Sequence, residues 1–472
     1  AGYEEAVDEM AVVAERIEFD LTSDLGYRYP GADDPEADRR LADLCRDRLD
    51  ERYPSPDPSR DQATGRLETE LDLISSLGLS GFFCLHREIL ELAREVAVEV
   101  RGPSAARSLL PPGRGRGSSV SSIVCYLTGL SHVDPISNDL TLGRFLNEDL
   151  SAVPDIDLDF PRDIRHRLIP RVQQHYGTER SALVSTFATY RSRSATRDLA
   201  RALSLPPAEV ELVCKSVGSY ADPERSSARM REALGRERFD SPGWTTVRRL
   251  APEMLGLPRH ISQHPGGMVV STQPLIGMCP SQPAAMEGRR ILQWDTDSCS
   301  DAGFLKIDLL GLGMLSAVER CVDEIERTRG ERVDLSRIPH DDRSTWESIR
   351  RADTLGVFQI ESRAQIQMLR RTQPQDLEEL AIQVALVRPG PIKGGAVHPY
   401  VERRAKQRVD PSYRPPYDHP LLEPVLAETL GVIVFQDQVL GVAQALAGFS
   451  VEEAEGLRRA MSRKRSHRAL VG

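Results

Sequence analysis

The chain has 472 residues, 40% of them hydrophobic and only 5% aromatic, with a formal net charge of −10. That length suits about three domains of ~150 residues, each able to bury an aliphatic core. No run of ~18 apolar residues occurs, which excludes a membrane-spanning helix, and the opening AGYEEAVDEM has neither the basic start nor the apolar stretch of a secretory signal. The seven cysteines form no CxxC pair. This speaks against a zinc knuckle or a disulfide framework and for a reducing cytoplasm. The acidic balance weighs against a generic nucleic-acid binder. Base nevertheless gathers late, in LRRAMSRKRSHR (457–468), and only five of the 61 basic residues are Lys. The chain starts without Met and inside a helical pattern, so a piece of a longer protein is expected.

The spacing predicts helices over 1–17, 35–50, 61–77 and 86–100, with a loop over 18–36 and the Pro-rich YPSPDPS dividing the second and third. RGPSAARSLLPPGRGRG (101–117) reads as a loop leading into a helix from Ser118 to about Leu130. There Val120, Ile123, Val124 and Leu127 recur at i, i+3, i+4 and i+7. A short strand fits PDIDLDF (154–160), and a helix over 162–176 stops at Gly177. Residues 180–255 read almost entirely as helix. Short strands fit GMVVST (267–272) and FLKIDLL (304–310). Beyond Gly313 the pattern is helical again, with a loop-rich centre around RPGPIKGG (388–395). The fold class is therefore α+β.

The segment PDIDLDF alternates without a break. On a strand, Ile156, Leu158 and Phe160 point to a core, while Asp155, Asp157 and Asp159 share the other face at about 7 Å spacing. Asp is a poor strand former, and like charges on one face repel. A hard divalent cation such as Mg²⁺, which prefers carboxylate oxygens, relieves that repulsion; a solvated acidic edge strand would carry the same pattern. In FLKIDLL the apolar face is Leu305, Ile307 and Leu309, with Lys306 and Asp308 opposite. A lone Asp among apolar residues invites a partner. If the two strands are neighbours, Asp308 completes a three-carboxylate site for two metals, the arrangement that clamps attacking and leaving oxygens in phosphoryl transfer. Otherwise Lys306 and Asp308 serve surface contacts.

GRGRGSS (113–119) before an apolar-periodic run has the features of an anion-binding loop. Glycines admit close backbone approach, a helix N-terminus offers unpaired N–H groups, Ser118 caps or binds a phosphate oxygen, and Arg116 adds a bidentate contact. The GK[ST] ending of a Walker A loop is missing, and Gly/Arg/Ser runs also occur in disordered linkers.

In this order the pieces resemble bacterial family C DNA polymerases, the DNA polymerase III alpha type. GRGSS resembles the family's Gly-Ser motif, PDIDLDF its paired-aspartate motif and FLKIDLLGL the strand with its third aspartate. ISQHPGGMVVS (261–271), DTLGVFQIESRAQ (353–365), VALVRPGPIKGGAVHPY (384–400), GVIVFQDQVL (431–440) and LRRAMSRK (457–464) are further collinear matches. DLTSDLGYRYP, TYRSRSATRDLARAL and PRHISQHPGGMVV resemble the error-prone branch used in lesion bypass.

The resemblance implies a nucleotidyltransferase-type palm with a small mixed sheet, in two parts over 27–190 and 263–313. It implies a helical thumb over 191–262 and fingers over 314–472, preceded by the tail of a PHP domain over 1–26. Asp157, Asp159 and Asp308 would hold two Mg²⁺ ions, whereas Asp155 is not counted as catalytic. Arg116, Gly117, Ser118, Lys306, Arg363 and Arg388 would meet the incoming deoxynucleoside triphosphate. Arg193, Arg197 and Arg201, at i, i+4 and i+8, would track primer-template DNA with Arg458, Arg459 and Lys464. A sliding clamp or mutasome proteins would bind through regions beyond this chain. The segment 101–114 is an insertion relative to the family pattern, expected to disturb the phosphate loop.

Several residues carry plainer alternatives. The arginine stripe is equally a solvated helix face paired with Asp198. His264 has no second His or Cys at metal-binding spacing, and the cysteines read as inert core. A two-metal nuclease, a fragment of the main replicative DNA polymerase III alpha subunit, or a non-catalytic DNA- or partner-binding remnant would share parts of the pattern.

Overall fold

The computed structural model describes residues 4–457 apart from 21–22, 103–104, 109, 139, 141, 143–144, 147–152, 219–221, 334, 336–337, 339, 389–394, 451–452 and 455–456. Helices are α1 (Glu4–Glu15), α2 (Ala37–Arg52), α3 (Arg60–Ser76), α4 (Ser80–Arg101), α5 (Ala105–Ser108), α6 (Ile123–Thr128), α7 (Arg162–Tyr176), α8 (Ser192–Ala202), α9 (Pro207–Ser216), α10 (Pro223–Phe239) and α11 (Pro242–Met254). They continue as α12 (Thr296–Asp301), α13 (Gly313–Arg329), α14 (Arg343–Arg351), α15 (Arg363–Thr372), α16 (Leu377–Leu386), α17 (Val397–Val409), α18 (Glu423–Leu426) and α19 (Gln436–Ala447). Strands are β1 (Arg114–Arg116), β2 (Asp157–Pro161), β3 (Ser181–Thr189), β4 (Pro258–Val270), β5 (Ser281–Pro283), β6 (Arg290–Leu292) and β7 (Lys306–Leu312). No single helix among the described residues is long and apolar enough to cross a membrane.

The chain divides into two units, each discontinuous in sequence. The first comprises Ala1–Asp34, Cys84–Leu92 and Arg165–Gly311. Its strands run in the order β7-β4-β3-β6-β5, antiparallel except for the parallel contact of β3 with β6. Leu183, Met268, Val269, Ile307 and Leu309 supply its buried apolar residues, as the alternation in FLKIDLL requires. Helices α8 to α11 close a second core around Trp244, Val213, Val247 and Met230.

The second unit comprises Pro35–Phe83, Ala93–Ile164 and Leu312–Gly472. There β1 and β2 pair antiparallel, with Arg114 opposite Asp159 and Arg116 opposite Asp157. Ile156, Leu158 and Phe160 are at most 1% exposed, so the apolar face of PDIDLDF is buried as read. Further along, α16 and α17 pack Ile382, Leu386 and Tyr400 against Leu430 and Val432.

Three expectations change. The stretch 180–255 is not helical throughout, because Ser181–Thr189 is a nine-residue strand. Its Val184, Thr186, Phe187 and Thr189 favour extended backbone, and pairing with β4 decides in their favour. The helix expected from Ser118 to Leu130 is a 3-10 turn over Gly117–Ser121 followed by the six-residue α6. The segment 101–117, expected as a loop, contains helix α5 and strand β1. Arg101 donates to the Leu110 and Pro111 carbonyls at 2.7 and 2.8 Å and pairs with buried Glu319 of α13 at 2.7 Å. Arg107 pairs with Asp323, while Ala106 and Leu110 pack on Val322. The segment before the phosphate loop is thus clamped to α13 by ion pairs and apolar contact.

Candidate active site

In the second unit, the β1–β2 pair carries Arg116, Asp157 and Asp159. Register puts Arg116 opposite Asp157, and its guanidinium bridges both carboxylates, Nη2 to Asp157 at 3.1 Å and Nε to Asp159 at 3.2 Å. The Arg116 side chain is half exposed, whereas that of Asp159 is only 10% exposed. Burial pushes the Asp159 carboxyl above its ordinary value, opposed by Arg116 and then Arg114. Arginine therefore neutralises the repulsion that the sequence pattern implied. Asp155 stays at the exposed end of the run.

Two glycines shape the turn that follows Arg116. Gly117 sits at φ 76°, a left-handed conformation that L side chains rarely adopt. Gly115 donates its N–H to the Leu130 carbonyl at 2.7 Å, and a Cβ there would lie 2.3 Å from the same oxygen. Ser118 is half-buried, and its carbonyl accepts from the Ser121 hydroxyl at 2.7 Å. It does not cap the helix. Ser122 does, accepting from the Cys125 N–H at 3.0 Å.

The N-terminal amides of α6 are also taken. Fully buried Glu70 accepts from Ile123 N at 3.0 Å, Val124 N at 3.2 Å and the Ser122 hydroxyl at 2.8 Å, and pairs with Arg66 at 2.9 Å. The α6 terminus is therefore not an open anion site, contrary to expectation. The sequence signal was present: Glu70 interrupts the buried stripe Ala63, Leu67, Ile74 of α3. A carboxylate there needs partners, and helix-terminal amides are suited to it.

In the first unit, β7 carries Lys306 and Asp308. Asp308 is 6% exposed. One oxygen, Oδ2, is bound by Lys306 of the same strand. The other, Oδ1, is buried and has no hydrogen-bond partner among the described residues, and His264 Nδ1 stands 3.8 Å from it. That histidine nitrogen is itself an acceptor for the Gly266 and Gly267 N–H groups at 3.2 and 2.6 Å, which fixes the HPGG turn beside β7. Arg165 of α7 ties the same turn down, donating to the Leu309 carbonyl at 3.0 Å and to the Pro265 carbonyl. The sequence reading left Arg165 aside because a lone Arg on a helix gives no pattern.

The remaining expected residues are dispersed. Arg193 is half-buried and donates Nε to the Val217 carbonyl at 3.2 Å, so it braces α9. Arg197 is half-buried and Arg201 exposed. Asp198, read as a partner of the stripe, instead binds Arg259 of β4 at 2.8 Å. Arg363 opens α15 directly after its Ser362 cap, and Arg388 follows the end of α16; both are exposed. Arg458, Arg459 and Lys464 lie outside the described residues. Five cysteines are buried. Burial pushes the Cys279 thiol up to about 11 and Cys299 to about 12, which leaves little thiolate for chemistry.

Residues 39–311 match the family model described as the bacterial DNA polymerase III alpha NTPase domain. The chain belongs to the bacterial DNA polymerase III alpha family. The family's finger-domain model matches 314–470, so the resemblance read from the motifs extends across both halves. Among the relatives, error-prone DNA polymerase of Pseudomonas fluorescens is 40% identical over 98% of this chain and 43% of its own length. That of Pseudomonas aeruginosa is 40% identical over 97% and 43%, and that of Mycolicibacterium paratuberculosis 39% over 98% and 40%. The chain thus spans about 43% of the length of the curated relatives it matches most extensively. Their shared name agrees with the branch expected from the finer motifs.

Proposed function

We propose that this member of the DNA polymerase III alpha family carries the nucleotidyl-transfer core of an error-prone, DNA-templated DNA polymerase. In this reading Asp157, Asp159 and Asp308 hold two Mg²⁺ ions. The observation that carries it is the Asp308 carboxylate, one oxygen neutralised by Lys306 and the other buried without a partner. An uncompensated buried acceptor is costly, and a hard cation is the partner its chemistry suits.

Bound there, Mg²⁺ would lower the pKa of a primer 3′-hydroxyl and offset charge on the transferring phosphoryl group. The chain's residues do the remainder. Arg116 holds Asp157 and Asp159 in place, and its half-exposed guanidinium can turn to a triphosphate. Lys306 holds the Asp308 carboxylate in place, while the Gly115–Gly117 turn exposes backbone to the nucleotide. Arg363 and Arg388 meet nucleotide or template, and Arg193, Arg197 and Arg201 follow the duplex. Residues 27–190 and 263–313 act as palm, 191–262 as thumb and 314–472 as fingers. Template pairing selects the nucleotide and the protein supplies positioning.

Primer extension with Mg²⁺ and four deoxynucleotides tests this. Extension that is lost in Asp157→Asn and Asp308→Asn supports the reading. Primer degradation would assign the carboxylates to a nuclease. Binding without turnover would assign the chain to DNA or partner recognition alone.

A further inference from the structure

An ion pair on α3 braces the segment that follows the Arg116 turn. Donors reach both oxygens of Glu70, which is fully buried. Oε1 accepts from Arg66 Nε at 2.9 Å and from Ile123 N at 3.0 Å. Oε2 accepts from the Ser122 hydroxyl at 2.8 Å and from Val124 N at 3.2 Å. Arg66 adds a second tie, its Nη2 donating to the Ser121 carbonyl at 3.1 Å and to the Leu140 carbonyl at 3.3 Å. The pair thus holds Ser121, Ser122, Ile123 and Val124 in succession, all within the second unit.

From there the hold passes back into the turn. The Ser121 hydroxyl donates to the Ser118 carbonyl at 2.7 Å, and the Ser119 hydroxyl donates to the Arg116 carbonyl at 3.1 Å. The Ser122 N–H donates to the Ser119 carbonyl at 3.2 Å. Ser119, Ser121 and Ser122 are all buried. Gly117, in its left-handed conformation, has no side chain to resist rotation, so the turn takes its rigidity from these contacts.

Stability alone does not call for this pair. Well-packed apolar side chains in place of a buried ion pair often leave stability unchanged or raise it, and Leu67 and Ile74 already give α3 a buried apolar stripe. Apolar packing is non-directional, whereas hydrogen bonds fix the direction of each backbone group they meet. Arg66 also balances the Glu70 carboxylate, so the brace brings no net charge beside residues read as meeting a triphosphate. We propose that Glu70 and Arg66 are positioning residues for nucleotide binding. They hold the Arg116–Ser118 turn in the geometry that receives the triphosphate and act through that turn alone. The inference rests on the polymerase reading and assigns to it two residues outside the motifs that carry the family resemblance.

The test uses the 472-residue chain and two readouts. Steady-state primer extension gives kcat and the nucleotide KM. Calorimetry on a primer-template ending in a dideoxynucleotide gives the Kd of the next complementary deoxynucleoside triphosphate without turnover. Glu70→Gln keeps the shape but replaces one acceptor oxygen with a donor. It should raise both KM and Kd roughly tenfold, with kcat and primer-template affinity changed less than about threefold. A role in folding alone would lower the active fraction, so that kcat falls at constant KM. Ser122→Ala leaves the ion pair intact and should give the same KM-selective pattern at roughly threefold, which guards against a folding defect in Glu70→Gln. In an Arg116→Ala background, Glu70→Gln should add less than it does alone, because both act on one contact. Unchanged KM and Kd in both variants, a fall in kcat at constant KM, or full additivity with Arg116→Ala would overturn the proposal. A wild-type chain that binds the triphosphate without extending the primer counts against the polymerase reading alone, and the Kd ratio for Glu70→Gln then decides the positioning role. A wild-type chain that does neither overturns both.

Discussion

On β2, Asp157 and Asp159 take their counter-charge from another strand, through the half-exposed guanidinium of Arg116. On β7, Asp308 takes it from two residues earlier in its own strand, through a Lys306 side chain that is only 18% exposed. The first arrangement is an exchangeable one: the arginine is wet, long and shared between two acids. The second is built into the strand, because i and i+2 always share a face, and it leaves one carboxylate oxygen unserved. Two sets of acidic residues in one family motif set can therefore be neutralised by physically different means, one suited to being displaced and one suited to being completed.

The largest expected effect removes the acids themselves. Asp157→Asn and Asp308→Asn should each lower nucleotide addition by roughly 10²–10³-fold or more, the scale of deleting one charge-stabilising group. DNA affinity measured by anisotropy should hold or rise, as negative charge near phosphates is lost. Extension at the wild-type rate in either variant would remove that half from the site.

Next comes stability. Lys306→Met strands a buried carboxylate and should cost about 3 kcal/mol, whereas Arg116→Met loses a half-exposed partner and should cost no more than about 1 kcal/mol. Urea unfolding without divalent cations reads both, and equal losses would erase the distinction between the strands. In kinetics the order reverses for nucleotide affinity. Arg116→Ala should raise the apparent nucleotide KM roughly tenfold, the loss of one charge-assisted contact, and weaken primer-template binding less. A KM that stays put while duplex affinity falls would reassign the loop.

A smaller effect concerns pH. Burial raises the Asp159 carboxyl in the folded chain, so the folded state holds its proton to higher pH than the unfolded state. That stabilisation is complete below the ordinary carboxylate range and lost as pH rises through the folded value. Asp159→Asn should thus be slightly more stable than wild type at pH 7, with the gain vanishing under acid. A melting-temperature difference that is constant from pH 7 to below about 4 would break the link to ionisation. The smallest effect belongs to Asp155→Asn, at the exposed end of the run. It should stay within about ±0.5 kcal/mol in stability and near wild type in extension. A loss as large as in Asp157→Asn would place Asp155 among the cation ligands.

Much of the site was legible before any coordinates. The alternation of Ile156, Leu158 and Phe160 against three aspartates, and of Leu305, Ile307 and Leu309 against Lys306 and Asp308, defines strand faces by period alone. The order of these segments with GRGSS and HPGG was enough for the family. Which serine caps α6 is not written in the local sequence. Ser118, Ser119, Ser121 and Ser122 are all competent caps, and the one used is chosen by Glu70, 52 residues from Ser122. The ion-pair partners of the insertion, Glu319 and Asp323, lie more than 200 residues ahead, beyond any local pattern.

What the sequence determined by itself is whatever depends on neighbours along the chain. This covers the strand periodicity of β2 and β7, the Lys306–Asp308 pairing two residues apart, the helix over 162–176 and the left-handed turn that Gly117 allows. Tertiary structure decided the rest: that 181–189 extends instead of coiling, that Glu70 occupies the α6 amides, that Arg116 rests on Asp157 and Asp159, and that one oxygen of Asp308 is buried. Each of these turns on what a polar group meets once water is gone. Desolvation cost and its compensation are set by side chains far apart in sequence, and no local pattern encodes them.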